Sequence, residues 1–251
     1  LAGQRAAAER ALRLDPRLPE AHLRMAQYLW VTADGAAARQ HFARGIALGP
    51  ERPLALSMQA GKAARHGHLE QAIDLQQRSV AQEPLAAAQR ANLGIYLLAA
   101  GRLHEAEVEL RRAEALNPAL ADPEIALTLI LQRRYAAALE RILRWQPGAR
   151  RDQALALAYA GLGRARDAEA ALGRLRASDD PDSQLMLAEV LALRGELDAA
   201  FDGIALALVA RGAGGTSPAA QQESTDLALR LSPFFADLRQ DRRWDGLLAS
   251  G

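Results

Sequence analysis

Histidine is the residue type in this sequence most able to hold a metal ion. His66 and His68 flank Gly67, and His104 stands beside Glu105 further along the chain. Imidazoles in such turns would take zinc if a third ligand, Glu70 or Glu105, joined them. Exposed turn histidines are the simpler reading and the preferred one. His22 and His41 fall inside helical stretches and read as packing or surface residues. Phosphate and hydrolytic chemistry are signalled less well. Gly61-Lys62 lacks the glycine spacing before it and the Ser or Thr after it that a phosphate-binding loop needs. Gly161-Leu162-Gly163 has no third glycine and no strand before it, and His104-Glu105 has no second histidine one turn on. There is no Gly-x-Ser-x-Gly elbow. The chain has no cysteine, which excludes disulfides, thiolate metal sites and cysteine nucleophiles and fits either cytoplasm or periplasm. No catalytic residue, cofactor or metal site is expected.

Arginine is the other candidate. Arg133, Arg134, Arg141, Arg144, Arg150 and Arg151 crowd one region, with Glu140 the only acid among them. Such a cluster would take a phosphate or an acidic peptide, or else form a solvated face, which is the favoured reading. The chain as a whole carries 31 basic and 30 acidic side chains, a net charge of +1. That balance argues against a nucleic-acid binder, which normally shows a marked basic excess. No apolar run is long enough to span a bilayer.

The elements that position these residues announce themselves through proline. Pro16, Pro50, Pro84 and Pro118 each stand 34 residues apart. A stack of helix–turn–helix units explains that period, because each unit must stop its second helix at the same place. The spacing predicts helices over about 19–32 and 36–48, 53–66 and 69–82, and 87–100 and 103–116. Short helices of this kind are marginal alone and depend on stacking. Small residues recur where two helices would touch: Ala26, Ala38 and Gly45; Ala60, Ala72 and Ser79; Gly94, Ala106 and Ala113. They let helix backbones approach and ridges settle into grooves.

This pattern resembles the tetratricopeptide repeat, with proline at its terminal position. The resemblance implies an all-α, right-handed superhelical solenoid over residues 1–210. Its units would be a half unit at 3–16, then 19–52, 53–86, 87–120, 121–148, 149–180 and 181–211. A loop and helical C-terminal cap would follow over 212–251. In the later units the small residues Ala138, Ala168 and Ala200 persist while the period slips. The fifth unit is expected to have almost no turn, with Leu131-Gln132-Arg133-Arg134-Tyr135 running nearly helix into helix. Trp145 falls where a small residue is expected. Either it wedges the helices and alters the curvature near 131–150, or it fills space left by a shortened turn. Beyond residue 210, Ser217-Pro218 and Ser232-Pro233 read as helix starts. The tail with Pro233, Phe234, Leu238, Arg239, Asp241 and Trp244 resembles one that closes tetratricopeptide arrays in bacterial signalling proteins, with Arg242 where proline is common.

The resemblance also implies a function. Members of the family bind peptides in the groove lined by first helices, and the corresponding positions here include Leu23, Gln27, Trp30, Met58, Asn92, Ile95, Leu98, Leu129, Gln132, Arg133, Gln153 and Leu157. The basic clamp of chaperone-binding members cannot be assembled, because Leu23, Gln27, Met58, Ala88 and Asn92 occupy its positions. The expectation is therefore a non-enzymatic scaffold that takes a peptide or helix of a protein partner into an apolar groove. The alternative is the regulatory or sensory region of a bacterial signalling protein, with a winged-helix, cyclase or kinase output domain preceding Leu1.

Overall fold

The computed structural model describes residues 2–32, 35–212 and 227–249. Among them every regular element is helical. The described residues up to Leu85 form one compact module and those from Ala86 onward form another.

The first module contains α1 (Ala2–Leu14), α2 (Pro19–Val31), α3 (Gly35–Leu48), α4 (Pro53–Arg65) and α5 (Leu69–Gln82). Helices α2 and α3 pack as a pair, as do α4 and α5. Pro19 and Pro53 occupy the first turns of α2 and α4. A helix start wastes no hydrogen bond on proline, because that N–H has no partner anyway. The pairs are antiparallel: Gly45, near the end of α3, lies against the Pro19 carbonyl at the start of α2. A Cβ on Gly45 would sit 2.7 Å from the Leu23 side chain, so only glycine allows this approach. Ala26, Ala38, Ala60, Ala72 and Ser79 are fully buried, as their spacing predicts. Ser79 also donates its hydroxyl to the Pro53 carbonyl at 2.8 Å, which lets a polar side chain stand at a dry contact.

The second module continues with α6 (Ala87–Ala99), α7 (Leu103–Leu116), α8 (Asp122–Leu131), α9 (Tyr135–Ile142), α10 (Ala149–Gly161), α11 (Ala165–Arg176), α12 (Pro181–Leu193) and α13 (Leu197–Gly212). A 3-10 turn at Pro118–Leu120, a helical stretch at 227–231, two further 3-10 turns and α14 (Arg243–Ala249) complete it. Consecutive helices pack in pairs from α6·α7 to α12·α13. The core is mostly Ala and Leu, with Phe234, Phe235 and Trp244 supplying its large rings at the C-terminal end. Asp180 caps α12 by accepting the Ser183 N–H at 2.9 Å.

The turns inside the pairs repeat one geometry. Gly67, Gly101, Gly163 and Gly195 all adopt left-handed φ values of 71 to 79°. Each is followed by an N–H that reaches back to the helix, as from His68 to Ala63 and from Arg102 to Leu97, both at 2.9 Å. This is the glycine-terminated helix end that satisfies otherwise orphaned carbonyls. The turn after α8 is the same, although the sequence shows almost none there. Arg133 takes the left-handed position at φ 60°, and Arg134 N–H reaches Leu129 at 2.8 Å. Backbone closure overrides the intrinsic preference of arginine, so a glycine-free segment conceals a full turn.

Trp145 does not stand at the helix-contact position that the repeat period implies. Helix α9 ends at Ile142, so Trp145 lies beyond it and not at a contact between paired helices. Pro147 follows, and the residue before a proline avoids helical backbone angles. The Trp145 indole N–H donates to Asp122 at the start of α8, tying this connection back onto the preceding pair. Of the two readings, the one in which the ring fills the connection agrees with this placement. Of the two helix starts anticipated near the C-terminus, Ser217-Pro218 lies outside the described residues. Ser232-Pro233 opens only a 3-10 turn, Pro233–Phe235, in which Ser232 accepts the Phe234 N–H at 3.3 Å.

Candidate functional site

In the first module, α2 and α4 lie side by side. Gln27, Trp30 and Met58 are partly exposed on them, whereas Leu23 is fully buried. Leu23 packs with Leu54 and Ala55, and Met58 covers that cluster. The Trp30 ring rests against Phe42 of α3, with centroids 5.5 Å apart and planes tilted by 57°. The Arg65 guanidinium lies 6.0 Å from the Trp30 ring centre, within cation–π reach. Arg24 donates to Gln27 at 3.1 Å. The result is a surface of aromatic, thioether, amide and guanidinium groups held by two first helices.

In the second module the anticipated residues divide. Asn92 and Ile95 on α6 are partly exposed. Leu98, Leu129 and Leu157 are buried in the core, and so is the Gln153 side chain. Gln153 donates to Glu189 of α12, whose carboxyl also bonds Ser232 of the C-terminal segment. Burial raises the carboxyl of Glu189 above the usual carboxylate range, against the pull of these donors. Gln132 is partly exposed and committed, donating to the Leu103 carbonyl at 3.3 Å and accepting from Arg134 at 2.9 Å. Arg133 is exposed on its turn. The structure thus brings Gln27, Trp30 and Met58 onto one surface and Asn92 and Ile95 onto another. Five of the anticipated residues serve packing.

Three of the six clustered arginines are paired with acids from other helices. Arg134 pairs with Glu107 at 2.7 Å, Arg141 with Glu114 and Asp122, and Arg150 with Glu124 at 3.5 Å. Glu107, Glu114 and Glu124 lie 26 or 27 residues before their arginines, outside the segment that holds the cluster, and Asp122 opens the helix paired with that of Arg141. No group of three or more potential metal ligands occurs among the described residues. A histidine contact that the sequence did not reveal joins α2 to α3. The Nδ1 atoms of His22 and His41 are 3.0 Å apart, and His22 Nε2 lies 3.0 Å from the Pro16 carbonyl. Burial, helped by His22, lowers the His41 pKa. An open cleft of about 710 Å³ adjoins it between α1, α2 and α3, with Arg5, Glu9, Tyr28 and His41 in its walls. Nothing in that set forms a nucleophile with an oriented base.

The succession of paired helices has counterparts among solved structures. PilW, a widely conserved type IV pilus biogenesis factor, is similar at a TM-score of 0.55 and 21% identity, over 69% of this chain and 83% of that one. The Pseudomonas aeruginosa pilF structure matches at 0.52 and 18% identity, over 68% and 80% respectively. The Cut9–Hcn1 hetero-tetramer of the APC/C matches at 0.54 and 18% identity, covering 92% of this chain and 46% of that one. No protein-family profile matches the sequence, and neither does any curated protein. At these identities the shared property is the fold. The chain has an all-α helical-repeat fold of the tetratricopeptide type. No described helix is long and apolar enough to cross a membrane.

Proposed function

We propose that this chain is a non-enzymatic scaffold that binds a peptide or helix of a protein partner on the exposed faces of its first helices. The observation that carries the reading is the surface of Gln27, Trp30 and Met58. A large ring and a thioether are left partly open there on adjacent first helices, while Ala26, Ala38, Ala60 and Ala72 are closed within the helix pairs. Partly open aromatic and methionine side chains are common anchors at protein interfaces. Asn92 and Ile95 offer a second, smaller patch on α6. Similar folds include a pilus biogenesis factor and a subunit of a hetero-tetramer, which agrees with a role in assembly.

Affinity capture tests the proposal. The chain should retain a protein partner that a Gln27→Ala/Trp30→Ala/Met58→Ala variant loses, at unchanged helicity. Equal retention by a folded variant would place the binding surface elsewhere, and turnover of a substrate by the purified chain would end the non-enzymatic reading.

A further inference from the structure

The first-helix surface of the first module differs in charge from the first helices of the second module. Helix α4 has no acidic residue, and α2 has only Glu20. That carboxylate is already engaged by Arg52, with an O–N distance of 2.8 Å. Three cations remain on these two helices: Arg24, Lys62 and Arg65. No acid among the described residues pairs with any of them. Arg24 reaches only the neutral Gln27, and Arg65 only the Trp30 ring. By helical spacing, Met58, Lys62 and Arg65 share one stripe of α4, while Arg24, Gln27 and Val31 share one of α2. Val31, 67% exposed, adds an open apolar side chain next to Trp30 in sequence. The first helices of the second module are different. Arg90 on α6 is ion-paired with Glu109 at 2.6 Å, and α8, α10 and α12 carry Asp122, Glu124, Asp152, Asp182 and Glu189.

We infer that the α2–α4 surface recognises an acidic amphipathic helix. Its apolar side chains would lie on Trp30, Val31 and Met58, and its carboxylates would meet Arg24, Lys62 and Arg65. The inference rests on the scaffold reading above and adds the chemistry of the partner. Unpaired cations around an apolar centre attract an acidic segment and penalise a basic one, so charge supplies selectivity and orientation while the apolar contacts supply area. A protein segment suits this surface better than a nucleic acid. Three cations beside a tryptophan, a valine and a methionine, on a chain of net charge +1, make a poor track for a phosphate backbone.

The test uses the full chain and three synthetic helical peptides with identical leucine positions and glutamate, glutamine or lysine on the flanking positions. Binding is followed by tryptophan fluorescence at low and at high salt. The glutamate peptide should bind most tightly and weaken as salt rises. Arg24→Ala, Lys62→Ala and Arg65→Ala should each reduce its affinity about two- to fivefold, the scale of a solvent-exposed ion pair, without changing helicity. Equal binding of the glutamine or lysine peptide would overturn the inference and leave the scaffold reading standing. So would tighter binding of a single-stranded oligonucleotide. If no peptide binds, the inference falls, and the capture experiment with the Gln27, Trp30 and Met58 variant decides the scaffold reading separately.

Discussion

Two glycines in the second module should respond to the same substitution with opposite signs. Gly94 lies in α6, and a Cβ there would stand 2.5 Å from Leu110 Cγ and 2.7 Å from its Cδ2, where ordinary contact begins near 3.4 Å. Leu110 is fully buried in α7, and its Cγ is not a free end that can swing aside. The helices must part by roughly 1 Å, and overpacking of this kind costs about 1–3 kcal/mol. The tightness favours the upper half of that range. Alanine returns about 1 kcal/mol through helix propensity, so Gly94→Ala should lose about 1–2 kcal/mol. Gly173 lies in α11 with nothing within 4 Å of its would-be Cβ. Only the propensity remains, and Gly173→Ala should gain about 0.5–1 kcal/mol. For a chain of this size 1 kcal/mol moves the melting temperature by about 2–4 °C. Thermal melts followed by far-ultraviolet circular dichroism should therefore place the Gly94 variant several degrees below the parent and the Gly173 variant slightly above it. A Gly94 variant melting at or above the parent would refute the close-contact account of the helix pairs.

Three further perturbations probe the core, a turn and a buried acid. Leu98→Ala should cost about 2–5 kcal/mol in a urea titration because Leu98 is 4% exposed, whereas Trp30→Ala should cost nearer 1 kcal/mol and act mainly on partner capture. Arg133→Gly should stabilise the chain by about 0.5–1 kcal/mol, since a left-handed φ of 60° penalises a side chain that nothing else holds there; a loss of stability would count against that geometry. The Glu189 carboxyl has its folded-state pKa raised above the ordinary 4.5, chiefly by burial. Its contribution to stability is complete below 4.5 and is lost as pH rises through the folded value. Glu189→Gln should remove that decline in denaturation measured from acid to neutral pH, and an unchanged pH slope would contradict the assignment.

Much of the repeat was legible because it depends on local signals. Proline at Pro50, Pro84 and Pro118, and small residues at Ala38, Ala72 and Ala106, place connectors and contacts where the structure has them. The helix limits over 53–116 follow to within a residue at nearly every end. The turn at Arg133 was hidden because its signal is a backbone angle and not a residue type. Trp145 misled because α9 stops at Ile142, a few residues earlier than the repeat period implies. The binding surface was only half legible. Position within a first helix does not distinguish Trp30, which a neighbouring helix leaves partly open, from Leu98 or Leu157, which packing closes. The pairing of Gln153 with Glu189 and the neutralisation of Arg141 depend on side chains brought from other helices, and no spacing rule within one segment announces them.

Site-specific photo-crosslinking in the cell of origin addresses the scaffold claim most directly. A photoreactive side chain replacing Met58, on the open surface of α4, should yield a covalent adduct with a partner protein. The same group replacing Gln77, exposed on the second helix of that pair, should not. Adducts at Gln77 and none at Met58 would contradict the account.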